Sequence, residues 1–158
     1  MQSMGTFGIS VEVAAITNGQ STAVEALVDT GATHSVFPGA LLERLGVRPS
    51  ASMRFTLADE RRVEYPVGQA AVKIGERRWI ASVVFGPNDA TPIVGSTTLE
   101  TFGLAVDPVG KRLIPVDGLL KPEFSVTELT PASARWKFED HEESDEQQTW
   151  AHSLSTLK

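Results

Sequence analysis

Apolar and polar residues alternate along much of this chain, a pattern typical of β-strands whose two faces meet different surroundings. The alternation covers residues 6–16, and the following Asn18-Gly19 predicts a tight hairpin turn into a second strand over residues 22–28. Alternation returns at residues 53–57 and 63–65, which flank a polar tip and predict a second hairpin. The pattern therefore favours a protein made mainly of strands joined by hairpins.

Two short helices are predicted between the strands. Pro38 can occupy the first turn of the first helix, and Gly46 is placed to end it as a C-terminal cap. Ser96 can cap the N terminus of the second helix, which is predicted to run to Phe102. The remaining segments with strand character are residues 35–37, 67–74, 79–85, 92–95, 104–106 and 112–114.

Residues 36–47 and 93–104 resemble each other. Each segment begins with apolar residues, has Leu-Glu near its centre and reaches a glycine, Gly46 or Gly103, one residue before its end. A repeat this short does not indicate a solenoid. It predicts one domain with approximate internal twofold symmetry, in which only the first copy carries an Asp-Thr-Gly sequence.

A length of 158 residues allows one domain with a hydrophobic core and a tail. We assign the domain to residues 1–120 and an acidic C-terminal tail to residues 121–158, where a dense acidic run at 139–146 changes the composition. Such a tail can be a solvated extension. A docking role also stays open, because Trp136 and Phe138 could anchor the tail to a surface.

Charge and residue content exclude several function classes. The formal net charge is −6 and basic residues occur as scattered pairs, so we expect no nucleic-acid partner. The chain has no cysteine, and its 3 histidines lack metal-ligand spacing, so we expect no metal and no cofactor. The N terminus lacks a signal-peptide pattern, and no stretch approaches the ~20 apolar residues of a membrane span. We therefore expect no membrane association and a cytoplasmic location.

Asp29 is the strongest candidate for chemistry. It follows the apolar residues 26–28 and precedes Thr30 and Gly31. Hydrolysis of a peptide bond without a metal, a cysteine or a Ser–His pair needs an activated water and a protonated carbonyl oxygen, which two adjacent carboxyls sharing one proton can supply. Alternatively, Asp-Thr-Gly can be a tight turn in which Asp29 accepts backbone N–H groups. The apolar strand before Asp29 favours the chemical interpretation, because it places the carboxylate at the end of a buried strand.

Residues 26–32, followed later by residues 92–95 and a short helix, resemble the retropepsins and their cellular and bacterial relatives. The resemblance spans residues 6–116. It implies an all-β fold, namely a retropepsin-like (acid protease) closed β-barrel with one or two short helices. It also implies a catalytic role for Asp29 and an active-site loop formed by Thr30, Gly31 and Ala32. In the family, the hydroxyl that matches Thr30 holds two such loops together.

The resemblance further implies a homodimer, because the chain has no second Asp-Thr-Gly: Asp89, Asp107 and Asp117 are followed by other residues. We predict an aspartic endopeptidase that hydrolyses peptide bonds of peptide or protein substrates. The attacking water would be activated by two Asp29 carboxylates, one from each subunit. The alternatives are a weakly active or inactive dimerisation or peptide-binding module of the same fold, and a scaffold whose acidic tail recruits a partner.

Residues 53–67 resemble the family's flap, a hairpin that closes over bound peptide. Flap and substrate-binding roles are assigned to Leu57, Ala58, Asp59 and Glu60. This tip departs from the glycine-rich tips common in the family, and it can instead be an ordinary exposed hairpin. His34 occupies a position where retroviral enzymes commonly carry an acidic residue, and we expect it at the rim of the site or in packing.

Overall fold

The computed structural model describes residues 6–17 and 19–118, which contain nine strands and two short helices. The prediction of an all-β fold with one or two short helices is confirmed. The predictions for Asn18 and for residues 121–158 lie outside the described residues. The strands are β1 Phe7–Ala14, β2 Ser21–Val28, β3 Ser35–Pro38, β4 Pro49–Thr56, β5 Arg62–Ile74, β6 Arg77–Gly86, β7 Ile93–Val94, β8 Leu104–Asp107 and β9 Arg112–Pro115, and the helices are α1 Gly39–Arg44 and α2 Ser96–Thr101.

Seven of the strands form one sheet that closes on itself. The strand order is β1-β2-β7-β3-β6-β5-β4, and β1 also pairs with β5. This extra pairing joins β1, β2, β7, β3, β6 and β5 in a ring, and β4 extends from β5 outside the ring. The pairs β2–β7 and β3–β6 are parallel, whereas the others are antiparallel. The strands β8 and β9 form a separate two-stranded sheet.

Alternate side chains of the ring strands point into a common core. In β1, Val11 and Val13 are buried while Ser10 is exposed, as the period of two requires. Phe37 of β3 and Leu42 of α1 are fully buried against the same core. Burial of these inward-facing apolar side chains stabilises the closed arrangement, because it removes their apolar surface from water.

The strand β5 is longer than the sequence pattern predicted. Residues 63–65 and 67–74 were expected as two strands, but Arg62–Ile74 is continuous through Pro66. Proline is tolerated there because at Ser52↔Pro66 the strand pairs with β4, whereas pairing with β6 begins at Val67. One strand therefore belongs both to the hairpin with β4 and to the ring.

Each helix lies in one copy of the repeat that the sequence predicted. In both copies a short strand leads into a six-residue helix, and a glycine with positive φ follows, namely Gly46 at 83° and Gly103 at 60°. The helix starts differ from the prediction by one residue. Pro38 and Gly95 hold the N-cap positions, and Ser96 is the first helical residue, because its N–H donates to the Ala32 carbonyl at 2.8 Å.

Within the described ranges, none of the helices has the length and apolar character needed to cross a membrane.

Candidate active site

Asp29 lies where β2 leaves the core. The preceding Val28 is fully buried, and the Asp29 side chain is half-buried. The Asp29 N–H donates to the Val94 carbonyl at 3.1 Å, which continues the parallel pairing of β2 with β7 by one residue. The buried strand thus fixes the backbone of Asp29 at the edge of the core, as the sequence predicted.

The residues after Asp29 turn back sharply on its carboxylate. The Gly31 N–H donates to Asp29 Oδ1 at 2.9 Å, and the Ala32 N–H donates to the Asp29 carbonyl at 3.2 Å. A Cβ at Gly31 would lie 3.2 Å from Oδ1, so a side chain there would crowd the carboxylate. The tight turn of the alternative interpretation therefore exists, with the carboxylate at the edge of the core, and the catalytic role of Asp29 stays a prediction.

Residues at the start of α2, in the second copy of the repeat, hold the loop that follows Asp29 in place. The Ser96 and Thr97 N–H groups donate to the carbonyls of Ala32 and Thr33, at 2.8 and 3.2 Å. Gly95 packs so closely that a Cβ on it would lie 2.6 Å from the His34 carbonyl carbon. The active-site loop is consequently held in one position by backbone contacts with the start of α2.

A buried pair of hydroxyls joins the same two segments. Ser35 Oγ and Thr98 Oγ1 lie 2.6 Å apart, and Ser35 Oγ also accepts the Gly95 N–H at 3.1 Å. Both side chains are buried. Sequence reasoning missed this pair, which joins Ser35, just before the first copy of the repeat, to Thr98 in the second copy.

Thr30 stands apart from these contacts. Its side chain is exposed, and the structure gives it no hydrogen bond within residues 6–17 and 19–118. The family role expected for its hydroxyl needs a second loop, so that role remains a prediction.

The hairpin assigned as the flap has a tightly organised tip. The Glu60 N–H donates to the Leu57 carbonyl at 2.9 Å, and Glu60 has a φ of 65°, a left-handed conformation that favours glycine. Asp59 pairs with Arg61 at 2.6 Å. Leu57 is half-buried, whereas Ala58, Asp59 and Glu60 are exposed. The predicted tip residues are thus adjacent in space, but only Leu57 among them turns towards the body.

A cavity of about 440 Å³ lies between the active-site loop and the flap hairpin. It brings Leu57 together with Gly31 and Ala32, three of the residues that the sequence assigned to the site. The other lining residues, most of them apolar or aromatic, are Thr33, His34, Val36, Phe55, Thr56, Tyr65, Val84 and Pro87. A cavity with a mainly apolar lining next to the Asp29 loop is suited to a ligand with apolar groups.

Residues 11–99, more than half of the 158-residue chain, match the family model described as aspartyl protease. The chain belongs to the aspartyl protease family. The match includes the Asp29 loop, the flap hairpin, the first copy of the repeat and the first residues of the second copy. No curated protein sequence matches this chain.

Solved structures that are similar to this chain have low sequence identity to it. The simian foamy virus (mac) protease is 24% identical, with a TM-score of 0.44, and the match covers 59% of this chain and 91% of that one. The EIAV protease in complex with the inhibitor HBY-793 is 20% identical, with a TM-score of 0.46, covering 65% and 93%. The retropepsin-like aspartic protease from Rickettsia conorii is 19% identical, with a TM-score of 0.41, covering 68% and 91%.

Several residues that line the cavity were not predicted as site residues. Phe55 precedes the assigned Leu57 by two positions, so alternation in the strand predicted over residues 53–57 already placed both side chains on one face. Tyr65 reaches the cavity from the other strand of the hairpin, where it lies across from Met53. His34, expected at the rim or in packing, lines the cavity as well.

Proposed function

We propose that the protein is an aspartic endopeptidase that acts as a homodimer with one Asp29 from each subunit. The observation that carries this proposal is the position of Asp29, half-buried at the end of a core strand and followed by residues that line the cavity under the flap hairpin. Membership of the aspartyl protease family supports the same chemistry.

The reaction needs two carboxyl groups that share one proton, as is known for aspartic proteases. The ionised carboxylate takes a proton from water while the water oxygen attacks the scissile carbonyl carbon. The protonated carboxyl gives its proton to the carbonyl oxygen, so a neutral tetrahedral diol forms. Breaking the C–N bond then needs a proton on the leaving nitrogen, which the first carboxyl supplies, while the second recovers its proton from the diol.

The need for a second chain follows from the residues available. Asp29 is the one acid in the sequence that precedes Thr-Gly, and the second copy of the repeat has no acid at the matching place. A twofold axis is the operation that brings two identical loops face to face. The exposed Thr30 hydroxyl is available for a contact with the partner loop.

Cleavage of an unfolded protein and of a peptide library by the full chain tests this proposal. The wild type should cleave best at mildly acidic pH, since the pair works with one shared proton. Asp29→Asn should abolish cleavage and leave folding intact, whereas the matched control Asp89→Asn, in an exposed loop, should cleave normally. Cleavage that survives in Asp29→Asn, or that chelators abolish, would contradict the mechanism.

A peptide-binding module without useful proteolysis is the second candidate. The tip of the flap hairpin favours it, because a charged residue, Glu60, holds the left-handed position that favours glycine, so the tip lacks the glycine that is common in the family's flaps. In that case peptides bind to wild type and to Asp29→Asn equally well, and neither protein cleaves them.

A further inference from the structure

The first strand of the flap hairpin has few contacts with the body. Within the described part of the chain, β4 pairs with β5 alone. Seven residues of β4 are exposed, and Phe55 is the one that is half-buried. The position of this strand over the cavity therefore depends strongly on the surroundings of a single side chain.

Phe55 is placed between two other rings. Its ring centroid lies 5.5 Å from that of His34 with an interplanar angle of 79°, the edge-to-face arrangement that aromatic pairs prefer. Tyr65, on the second strand of the same hairpin, is 6.3 Å from Phe55 at 37°. Tyr65 moves with the hairpin, so the His34 contact is the one that connects the ring of Phe55 to the active-site loop.

The backbone of His34 is fixed from the opposite side. Gly95 lies against it with no room for a Cβ, and the neighbouring Thr33 carbonyl accepts the Thr97 N–H at 3.2 Å. On the C-terminal side, Ser35 is buried in its hydroxyl pair with Thr98. His34 is consequently a side chain on a rigid support, whereas Phe55 belongs to an exposed ribbon.

We propose that His34 is the docking point of the flap, and that its ring contact with Phe55 holds the hairpin over the cavity beside Asp29. His34 is a positioning residue in this arrangement, because it acts on bound peptide through Phe55. The kinetic consequence rests on the proposed peptidase function, whereas the contact itself does not require catalysis. An edge-to-face pair corresponds to roughly a two- to tenfold change in an equilibrium constant.

Steady-state kinetics at one fixed protein concentration test the effect on peptide. His34→Ala should raise KM roughly two- to tenfold with a smaller change in kcat, and His34→Phe, which keeps an edge-to-face ring, should restore KM. Arg54→Ala is the matched control, since Arg54 is exposed on the opposite face of β4. A KM for His34→Ala equal to that of Arg54→Ala would overturn the proposal, as would a failure of His34→Phe to recover it.

Amide hydrogen exchange tests the contact without any activity. Exchange over residues 53–65 should be faster in His34→Ala and in Phe55→Leu than in the wild type, with β1 and β2 unchanged as an internal reference. The double variant should be no faster than either single variant, because both remove the same contact. Unchanged exchange in the folded single variants would reject the docking role even in an active peptidase. Faster exchange in a chain that shows no Asp29-dependent cleavage would support docking and reject the proposed function.

Discussion

The hydroxyls of Ser35 and Thr98, 63 positions apart in sequence, lie 2.6 Å from each other in the core and connect β3 to α2. Ser35 also accepts the N–H of Gly95, so its hydroxyl satisfies a buried backbone donor. The pair therefore contributes both to stability and to the position of the segment that follows the Asp29 loop.

Ser35→Ala should lower the free energy of unfolding by about 1–3 kcal/mol, because it leaves the Gly95 N–H without its partner. Thr98→Val, which keeps the shape of the side chain, should cost less. Urea unfolding at one protein concentration measures both effects. The double variant should lose less than the sum of the single losses, and strict additivity would mean that the hydroxyls do not interact.

Gly95→Ala should destabilise the fold by about 3 kcal/mol or prevent folding, because the new Cβ would meet backbone atoms of Ala32 and His34 within 2.8 Å. Backbone held by hydrogen bonds cannot move aside as a flexible side chain would. Gly8→Ala is the control, since a Cβ there has nothing within 4 Å. Thermal unfolding of the two variants compares them, and equal melting temperatures would contradict the close approach.

A substitution at the tip of the flap hairpin is expected to raise stability, in contrast to Ser35→Ala and Gly95→Ala. Glu60→Gly should stabilise the hairpin by roughly 0.5–1 kcal/mol, because the strain of a left-handed residue exceeds the entropy that glycine loses on folding. Ala58→Gly, two positions earlier in the same turn and without positive φ, should destabilise it. Hydrogen exchange over the hairpin reports both variants, and faster exchange in Glu60→Gly would show that the tip is not strained.

Asp107 gives a pH dependence whose sign is determined by its contacts. Its carboxylate accepts the N–H of Gly110 and pairs with Arg112, and these contacts lower the pKa of Asp107. A lowered pKa in the folded state stabilises the protein above the ordinary aspartate pKa, and this contribution is lost as pH falls through the lowered value. Acid unfolding of Asp107→Asn should therefore lack one component of the wild-type pH dependence. Identical acid unfolding of the wild type and Asp107→Asn would exclude a contribution of Asp107 to the pH dependence of stability.

The sequence predicted the parts of the site that are local in the chain and missed those that are not. The strand before Asp29, the turn at Gly31 and the hairpin around Leu57 follow from neighbouring residues, and the structure contains all three. The contact of His34 with Phe55 joins segments that only the closed sheet brings together. The continuous β5 was missed for the same reason. Pro66 is acceptable within β5 because the strand pairs only with β4 at that position, and this pairing depends on the assembled sheet.

Dilution and subunit mixing test the proposed active site that two subunits share. Each chain supplies one Asp29, so specific activity should fall on dilution as dimers dissociate. Mixing the wild type with an excess of Asp29→Asn chains should lower activity further, because a heterodimer retains one ionisable carboxyl and cannot both activate water and protonate the carbonyl oxygen. With random pairing and a tenfold excess of variant, roughly a tenth of the wild-type chains should remain in active homodimers.

Asp89→Asn chains, added in the same excess, control for non-specific effects and should add activity. If sedimentation instead shows an active monomer that Asp29→Asn chains do not inhibit, the second acid belongs to the same chain and the homodimer proposal is wrong.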